Sequence, residues 1–497
     1  MIPAQGTSEP TDDGRGAVFS QRLHYWIAVA WVVPVLLSLS GAGQSSITIA
    51  TTVAAVLSCV MILVKPAAVL VAIPFFALLS PVAGYFELPL GRILLSDALF
   101  ILLAVQLLFL VIADRVRLRT NLPAQLGAAI AILYVVSTVS GIVTGTLISL
   151  KPILYVAQLV IIALYTNSFA KTGQSWDVVV TSWITATFFG ALLLIQAFVT
   201  GRSLSRFDSA PGKDLVDLTS IEYLFRADYY YTGFHFAVGI SIVILLLRLL
   251  VGRAQPQRML RVLVVSVLMA AILMMLNKTA ILAIGITLVT VFLLLMPRLR
   301  RTVVVRAIAA VAVGAVAGYV VVSSVFLTSI GDVQRTVWGE SAIGTGSLAV
   351  RLAVYVSAVT AWMGHPVQVV LGMGPDFLEG SGNPAMAMMF KTSSITGLAE
   401  GTVDSGWISY LTELGIVAFV ALVWWVAQSV RSIYRCVMRA DSNELDMVAV
   451  SVLAGLVFTA IALSTQMLGY TKVTWFPFQL LLIGFVHAPH APSSDHR

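Results

Sequence analysis

The chain has 497 residues, of which 59% are hydrophobic and 11% are charged, and its formal net charge is +7. Ordinary soluble domains carry about 25% charged residues. The composition therefore excludes an ordinary soluble enzyme and predicts an all-α, polytopic transmembrane helix bundle. The basic excess fits the positive-inside rule of membrane proteins, and we prefer that interpretation to nucleic-acid binding.

The first 23 residues are polar and lack the compact basic region and cleavage site of a signal peptide. We expect residues 1–23 to form a short, disordered cytoplasmic tail. A membrane-spanning helix needs roughly 20 apolar residues. This criterion predicts 12–14 spans, grouped in a bundle over 24–325 and a C-terminal set over 407–488. The candidate spans are 25–41, 46–64, 66–84, 95–113, 124–146, 149–167, 176–199, 234–251, 262–277, 279–296, 303–325, 407–428, 446–464 and 473–488.

Four basic clusters between the spans set the predicted orientation. They begin at Arg115, Arg253, Arg298 and Arg431. With fourteen spans and a cytoplasmic N-terminus, all four clusters fall in the cytoplasm, as the positive-inside rule requires. The sequence thus predicts a protein of the cytoplasmic (inner) membrane with both termini inside, including the tail at 489–497.

The same topology places two long loops outside the membrane, at 200–233 and 326–406. Within the second, apolar positions at helical spacing over 347–363 predict an interfacial helix lying on the bilayer. Neither loop contains a phosphate-binding P-loop or dinucleotide-binding motif. The two cysteines and six histidines are scattered without metal-ligand spacing, so we predict no metal and no cofactor.

The predicted external side carries many cations, although the positive-inside rule disfavours them there. Arginine and lysine at the membrane surface suit an anionic lipid headgroup, since arginine binds phosphate with two parallel hydrogen bonds and lysine binds it as a point charge. The ordinary alternative is a solvated loop charge or an ion pair with a nearby acid. Lys278 favours function more strongly, because it lies in a tight turn between two apolar segments. The external cations are Arg202, Arg206, Lys213, Arg226, Lys278, Arg335, Arg351 and Lys391.

Three further residues are candidates for chemistry or binding on that side. Asp404 lies at the start of a span, where it could deprotonate an attacking hydroxyl. An aspartate before an apolar helix is also a standard N-cap, and spacing alone favours the cap. His235 stands at a membrane boundary after three tyrosines, a position at which we prefer the interpretation as an aromatic anchor. Asp376 follows the irregular segment Gly372-Met373-Gly374-Pro375.

Four segments together resemble the O-antigen ligase and O-antigen polymerase superfamily. GSLAVRLAVYVSAVTAWMGHPVQVVLGMGPD is similar to its arginine helix, His-Pro and Gly-x-Gly, and DSGWISYLTELGIVAFVALV resembles its closing motif. LFRADYYYTGFHFAVGI and LNKTAILAIG resemble its arginine-containing approach to a span and its Ser-Arg-Gly turn. The segments occur in family order and cover about residues 220–425.

The resemblance implies a metal-independent membrane glycosyltransferase that takes a glycan from a polyprenyl diphosphate and passes it to an acceptor sugar. Arg226, Lys278 and Arg351 would hold and stabilise the diphosphate. Asp404 would orient or deprotonate the acceptor hydroxyl, and Ser405 would be a substrate-binding residue. The substrate-binding residues would further include Arg202, Arg206, Arg335, His235 and Asp376.

Two departures from the family pattern bear on the activity. Lys278 replaces the arginine of the turn motif, and Asp404-Ser405 replaces the His-Asn of the ligase closing motif. Many polysaccharide polymerases have aspartate at the first of these closing positions, so the resemblance favours a polymerase of exopolysaccharide, capsule or O-antigen over a ligase. The expected partners are the lipid-linked donor, the glycan acceptor, membrane lipids and other polysaccharide assembly and export proteins.

Two other classes of protein remain open. A flippase or secondary transporter of a lipid-linked glycan would place its ionisable residues near the middle of its spans. Here nearly all of them lie in loops or at span ends, which favours the enzyme. A scaffold subunit of an export complex with a degenerate site is the third alternative.

Overall fold

A computed structural model describes the following parts of the chain. They are residues 13–79, 86–88, 91–93, 95–113, 122–143, 173–200, 215–218, 221–225, 234–251, 257–274, 278–299, 366–374, 406–439 and 447–462, with isolated positions at 160–161, 164, 305, 355–356, 358–360 and 362–364. This described part is almost entirely helical.

The described helices are α1 (Asp13–Leu39), α2 (Gln44–Val64), α3 (Val69–Leu79), α4 (Leu95–Ile112), α5 (Leu122–Val143), α6 (Gly173–Thr200), α7 (Phe234–Val251), α8 (Arg258–Met274), α9 (Lys278–Leu295), α10 (Pro366–Leu371), α11 (Gly406–Arg439) and α12 (Met447–Ala462). Short 3-10 turns occupy Pro66–Ala68 and Met296–Arg298. Two antiparallel hairpins complete the elements, β1 (Phe86–Leu88) with β2 (Gly91–Ile93) and β3 (Leu215–Leu218) with β4 (Ile221–Phe225).

Most helices begin and end close to the predicted spans, but parts of the prediction need correction, and α11 continues to Arg439, beyond the predicted limit of 428. Helix α1 begins at Asp13, inside the segment 1–23 predicted to be disordered, because the polar residues before the apolar core continue its helix. The predicted span 66–84 begins with a 3-10 turn over Pro66–Ala68 and continues as a helix over Val69–Leu79, and its residues 80–84 lie outside the described residues. The two hairpins were not predicted by an all-α assignment, and β3 and β4 lie in the predicted external loop. The predicted span 473–488 and nearly all of the predicted spans 149–167 and 303–325 lie outside the described residues.

The apolar surface of the described helices suits lipid. Among the described residues, four helices are long and apolar enough to cross a membrane, over Ser45–Val64, Asp177–Gln196, Ala280–Arg298 and Gly406–Met438. Helix α2 carries a stripe of exposed apolar side chains at helical spacing, at Val53, Val56, Val60 and Leu63. Soluble monomers rarely expose continuous apolar stripes on several helices. These helices therefore indicate a membrane protein.

Helices α1 and α6 run parallel and in register. His24 Nδ1 lies 2.7 Å from Ser182 Oγ, and fourteen residues further along both helices the Ser38 hydroxyl lies 3.4 Å from Gln196 Oε1. The Gln196 amide also donates a hydrogen bond to the Ser38 carbonyl. Fourteen helical residues span about 21 Å, so polar contacts join this pair near both ends of their shared length.

Thiol cross-linking tests the register of α1 and α6. In a variant lacking Cys59 and Cys436, the pair Ser38→Cys and Gln196→Cys is expected to form a disulfide on mild oxidation, because the two side chains touch. The pair Ser38→Cys and Ser182→Cys is the matched control, since its positions lie about 21 Å apart along the helices. The disulfide is detected by gel electrophoresis after the chain has been cleaved by a protease between α1 and α6. Equal cross-linking of both pairs would contradict the parallel arrangement.

A second set of polar contacts defines one end of the bundle. Arg248, near the end of α7, forms a 2.8 Å ion pair with Asp177 near the start of α6. Its Nε atom donates to Ser451 Oγ at 3.4 Å, near the start of α12. Helices α7 and α12 are therefore antiparallel, and farther along them Gly239 faces the ring of Phe458. We call the end that holds Asp177, Arg248 and Ser451 the arginine end.

The antiparallel packing assigns the other helix ends as well. Six residues separate the end of α7 from the start of α8, and α8 packs against both α6 and α7, so α8 begins at the arginine end. It follows that α8 ends, and α9 begins, at the opposite end. Helix α11 begins there too, because the Trp407 indole donates to the carbonyl of Ala460 near the end of α12. Helix α4 runs parallel to α2, with the Gln106 amide donating to the Ile62 carbonyl.

Candidate functional site

The predicted site residues lie mostly outside the described residues. These are Arg202, Arg206, Arg226, Arg335, Arg351, Asp376, Asp404 and Ser405. Lys278 is the first residue of α9, and Asp404 and Ser405 come directly before Gly406, the first residue of α11. Helices α9 and α11 begin at the same end of the bundle, so Lys278 and Gly406 lie at that end.

His235 has a described side chain. It lies in the first turn of α7 and is only 7% exposed, with its ring centroid 4.4 Å from that of Phe236. Phe236 in turn packs edge-on against Phe458 of α12, at a centroid separation of 6.2 Å. His235 is therefore a buried residue at the end opposite to the arginine end, and its environment there is aromatic.

Two glycine-containing segments cross each other at this same end. The segment Val370–Gly374, which ends α10, lies against Thr412–Gly415 of α11, and we call their contact the crossing. Helix α11 is interrupted at Gly415, whose φ of 78° and ψ of 169° are not helical. A Cβ atom on Gly415 would lie 2.7 Å from the carbonyl carbon of Val370. Only glycine permits both this φ and this approach.

Hydrogen bonds of the crossing replace those that α11 loses at its break. A helix interruption leaves carbonyl groups of the preceding turn without their usual partners. Here the Met373 amide donates to the Thr412 carbonyl at 3.0 Å, and the Gly374 amide donates to the Glu413 carbonyl at 3.1 Å. The Gly-x-Gly segment thus supplies the hydrogen-bond donors that α11 lacks at its break. Neither segment could satisfy these backbone groups in this conformation without the other.

Helix α5 supplies two hydroxyl groups to the crossing. The Ser137 hydroxyl donates to the Glu413 carbonyl, and the Ser140 hydroxyl donates to the Gly372 carbonyl at 3.4 Å. Both serines face the same side of α5, since positions three apart lie on one helix face. The crossing is therefore a junction of three elements: α5, the end of α10 and the first two turns of α11.

A buried carboxyl group lies within the junction. The Glu413 residue is 7% exposed, and Ser409, one turn earlier, donates to its Oε1 at 3.2 Å. An acidic side chain inside an apolar span is costly and is a functional candidate by default. The sequence analysis used Glu413 only as part of a motif. The sequence feature that could have identified Glu413 is that it is the one acidic residue in the apolar stretch from Trp407 to Val430.

Gln368 is a second buried polar side chain of the junction that the sequence analysis did not single out. The residue is 6% exposed, and its backbone carbonyl accepts a 3.0 Å hydrogen bond from the Trp362 indole. Its side-chain Oε1 has no hydrogen-bond partner among the described residues. A buried acceptor is normally satisfied by a hydrogen-bond donor.

The interfacial helix predicted over 347–363 lies mostly outside the described residues. Where it is described, the Thr360 hydroxyl donates to the Val356 carbonyl at 2.7 Å and the Gly364 amide donates to the Thr360 carbonyl at 3.2 Å. Both bonds join positions four apart, as in a helix. Helical turns thus lead into His365 and the crossing.

The described residues contain no group of three or more histidine, cysteine or acidic side chains that could hold a metal ion. The chemistry available at the junction is that of a carboxyl group, hydroxyl groups, one amide and backbone groups. Such a set can hold and orient a polar substrate and accept a proton.

The chain was compared with protein families and with curated proteins. No family model matches it, and no curated protein matches it.

Proposed function

We propose that the chain is a polytopic glycosyltransferase of the cytoplasmic membrane that polymerises polyprenyl-diphosphate-linked glycan repeat units on the outer side. One observation carries the proposal. The Gly-x-Gly segment and the Glu-Leu-Gly segment, which the sequence places about 40 positions apart in the order of the O-antigen polymerase and ligase superfamily, contact each other at the crossing.

The position of the candidate residues supports the same proposal. Lys278 begins α9, and α11 begins two positions after Asp404, both at the end of the bundle where the crossing lies. A diphosphate held by Lys278, Arg226 and Arg351 would then lie on the same side as the base Asp404. Electrostatic stabilisation of the leaving diphosphate and deprotonation of the acceptor hydroxyl would supply the catalysis.

The basic clusters support an outward-facing crossing. The helices α4, α7, α9 and α11 all end at the arginine end, and each is followed by, or ends in, one of the four basic clusters of the sequence. The positive-inside rule assigns such an end to the cytoplasm. In the proposed topology of 12–14 spans, both termini are cytoplasmic and the 326–406 segment is a loop outside that receives the growing chain.

A transporter or flippase of a lipid-linked glycan is the second candidate, and one observation favours it. Secondary transporters bind their substrates where membrane helices are interrupted. Helix α11 is interrupted at Gly415, directly after the buried carboxyl group of Glu413. A ligase, which transfers the glycan once to a different acceptor, shares the donor chemistry of the polymerase and is the third candidate.

One experiment separates the three. Purified protein in liposomes is incubated with a polyprenyl-diphosphate oligosaccharide, and the products are resolved by gel electrophoresis and mass spectrometry. We expect a ladder of products differing by one repeat unit. A single transfer to an acceptor without a carrier lipid would show that the protein is a ligase and not a polymerase. Movement of the donor between leaflets without any new glycosidic bond would show that the protein is a flippase and not a glycosyltransferase.

A further inference from the structure

Helix α11 has a short first part that precedes its break at Gly415. We call residues 406–414 the leading segment of α11. They form about 14 Å of helix. A helix of that length is only marginally stable by itself, so the orientation of the leading segment depends on its contacts with other elements.

Three other helices hold the leading segment. At its start, the Trp407 indole donates to the Ala460 carbonyl of α12 at 2.9 Å. At its end, the Glu413 carbonyl accepts hydrogen bonds from the Gly374 amide, which follows α10, and from the Ser137 hydroxyl of α5. The contacts from α5 and α10 therefore meet at the backbone of Glu413.

The side chain of Glu413 adds a bond inside the leading segment. The Ser409 hydroxyl donates to Glu413 Oε1 at 3.2 Å, and both residues are buried. Because the two positions are four apart, the bond spans the last turn before the break. A hydrogen bond in a buried site is stronger than the same bond in water. The carboxyl group therefore ties the turn that α5 and α10 hold to the turn that lies nearer the start of α11.

The chain joins the proposed base to this segment. Asp404 stands two positions before Gly406, the first residue of α11. Two residues of extended chain reach at most about 7 Å. A change in the tilt of the leading segment therefore displaces Asp404 relative to a substrate. A displacement of about 1 Å at a catalytic group can cost about a hundredfold in rate.

We propose that Glu413 is a positioning residue, whose side chain acts through Ser409 to fix the leading segment of α11 and thereby to orient Asp404 toward the acceptor hydroxyl. This role rests on the proposed glycosyl transfer. Glu413 itself does not touch the reacting atoms. The role explains why an acidic side chain stands in an apolar span, where burial of the carboxyl group is costly.

The kinetics of ladder formation by the full-length protein in liposomes test this role. Glu413→Ala and Ser409→Ala are each expected to lower kcat about tenfold, the order of effect of one buried hydrogen bond. KM for the lipid-linked donor should stay unchanged, because neither residue binds the diphosphate. Glu413→Gln should keep most of the activity, since its amide oxygen accepts the same bond. The double variant should be no slower than Glu413→Ala, because both changes break one bond.

Ser429→Ala is the matched control for Ser409→Ala. Ser429 is a buried serine of the same helix and lies about 21 Å beyond Gly415. We expect this variant to keep the wild-type kcat. The role of Glu413 is overturned if Glu413→Ala keeps the wild-type kcat or if Ser429→Ala loses as much as Ser409→Ala does. It is also overturned if Glu413→Gln is as slow as Glu413→Ala, or if the losses in the double variant multiply.

Hydrogen exchange separates this inference from the proposed function. The Gly374 amide donates to the Glu413 carbonyl, so its exchange rate reports whether the leading segment keeps its place. We expect Glu413→Ala to speed this exchange about tenfold and Glu413→Gln to leave it unchanged. Unchanged exchange in Glu413→Ala would overturn the role. If the wild-type protein forms no ladder but Glu413→Ala speeds the exchange, the proposed glycosyl transfer is wrong and the anchoring of the segment by Glu413 stands.

Discussion

Gly372→Ala is expected to lower the free energy of unfolding by about 3 kcal/mol or more, because two costs add at one position. The φ of Gly372 is 88°, a region that an L-residue with a side chain rarely adopts. A Cβ atom there would also overlap the Glu413 carbonyl oxygen and lie 2.6 Å from the carbonyl carbon of Leu414. Both neighbours are backbone atoms of α11, so no side chain can turn aside to make room.

Thiol reactivity on heating measures this effect. Cys59 and Cys436 form no disulfide and are half-buried, so a thiol-reactive dye reports their exposure as the bundle unfolds. Gly285→Ala is the matched control, since a Cβ atom at Gly285 in α9 would meet nothing within 4 Å. That change should leave stability unchanged or raise it by up to about 1 kcal/mol through helix propensity. If Gly372→Ala unfolds at the wild-type temperature, the close crossing is wrong.

Lys278→Ala is expected to reduce polymer formation by about a hundredfold or more, the usual cost of removing one electrostatic contact to a developing negative charge. Under the proposed function, Lys278 stabilises the departing diphosphate, so the loss should appear mainly in the rate at saturating donor. Lys278→Arg should retain activity, since arginine stands at this position in the resembling turn motif. The ladder assay on lipid-linked donor provides the measurement.

Arg298→Ala is the control for Lys278→Ala. Arg298 is exposed in the turn that follows α9, at the opposite end of the same helix, so its loss removes the same charge far from the crossing. We expect it to leave the ladder unchanged. Both variants should retain the wild-type unfolding temperature. If Lys278→Ala produced a normal distribution of chain lengths, Lys278 would not be the residue that stabilises the departing diphosphate.

The helices were the predictable part of the fold. An apolar stretch of about 20 residues specifies a membrane helix almost without regard to its neighbours, because all its backbone groups are satisfied within the segment. The limits of α7 were therefore predicted as 234–251, as found. The hairpins were less predictable, since β1 and β2 have three residues each, too few to show alternation of apolar and polar positions.

The crossing was only partly predictable. The glycines at 372 and 374 marked a sharp turn, but sequence spacing could not show that this turn would supply hydrogen bonds to Thr412 and Glu413, some 40 positions later. Such contacts depend on the packing of α5, α10 and α11 together. The interruption at Gly415 was hidden for the same reason, because a glycine inside an apolar run also occurs in continuous membrane helices.

The parallel pairing of α1 and α6 has a consequence for how the chain enters the membrane during synthesis. Two spans that run in the same direction must be separated by an odd number of crossings. If one intervening segment failed to insert, α6 would enter upside down, and Ser182 and Gln196 would exchange depths in the bilayer. His24 and Ser38 would then both lose their partners at once. The two polar contacts therefore form only when the number of crossings is correct, and they favour that topology over one with a missing crossing.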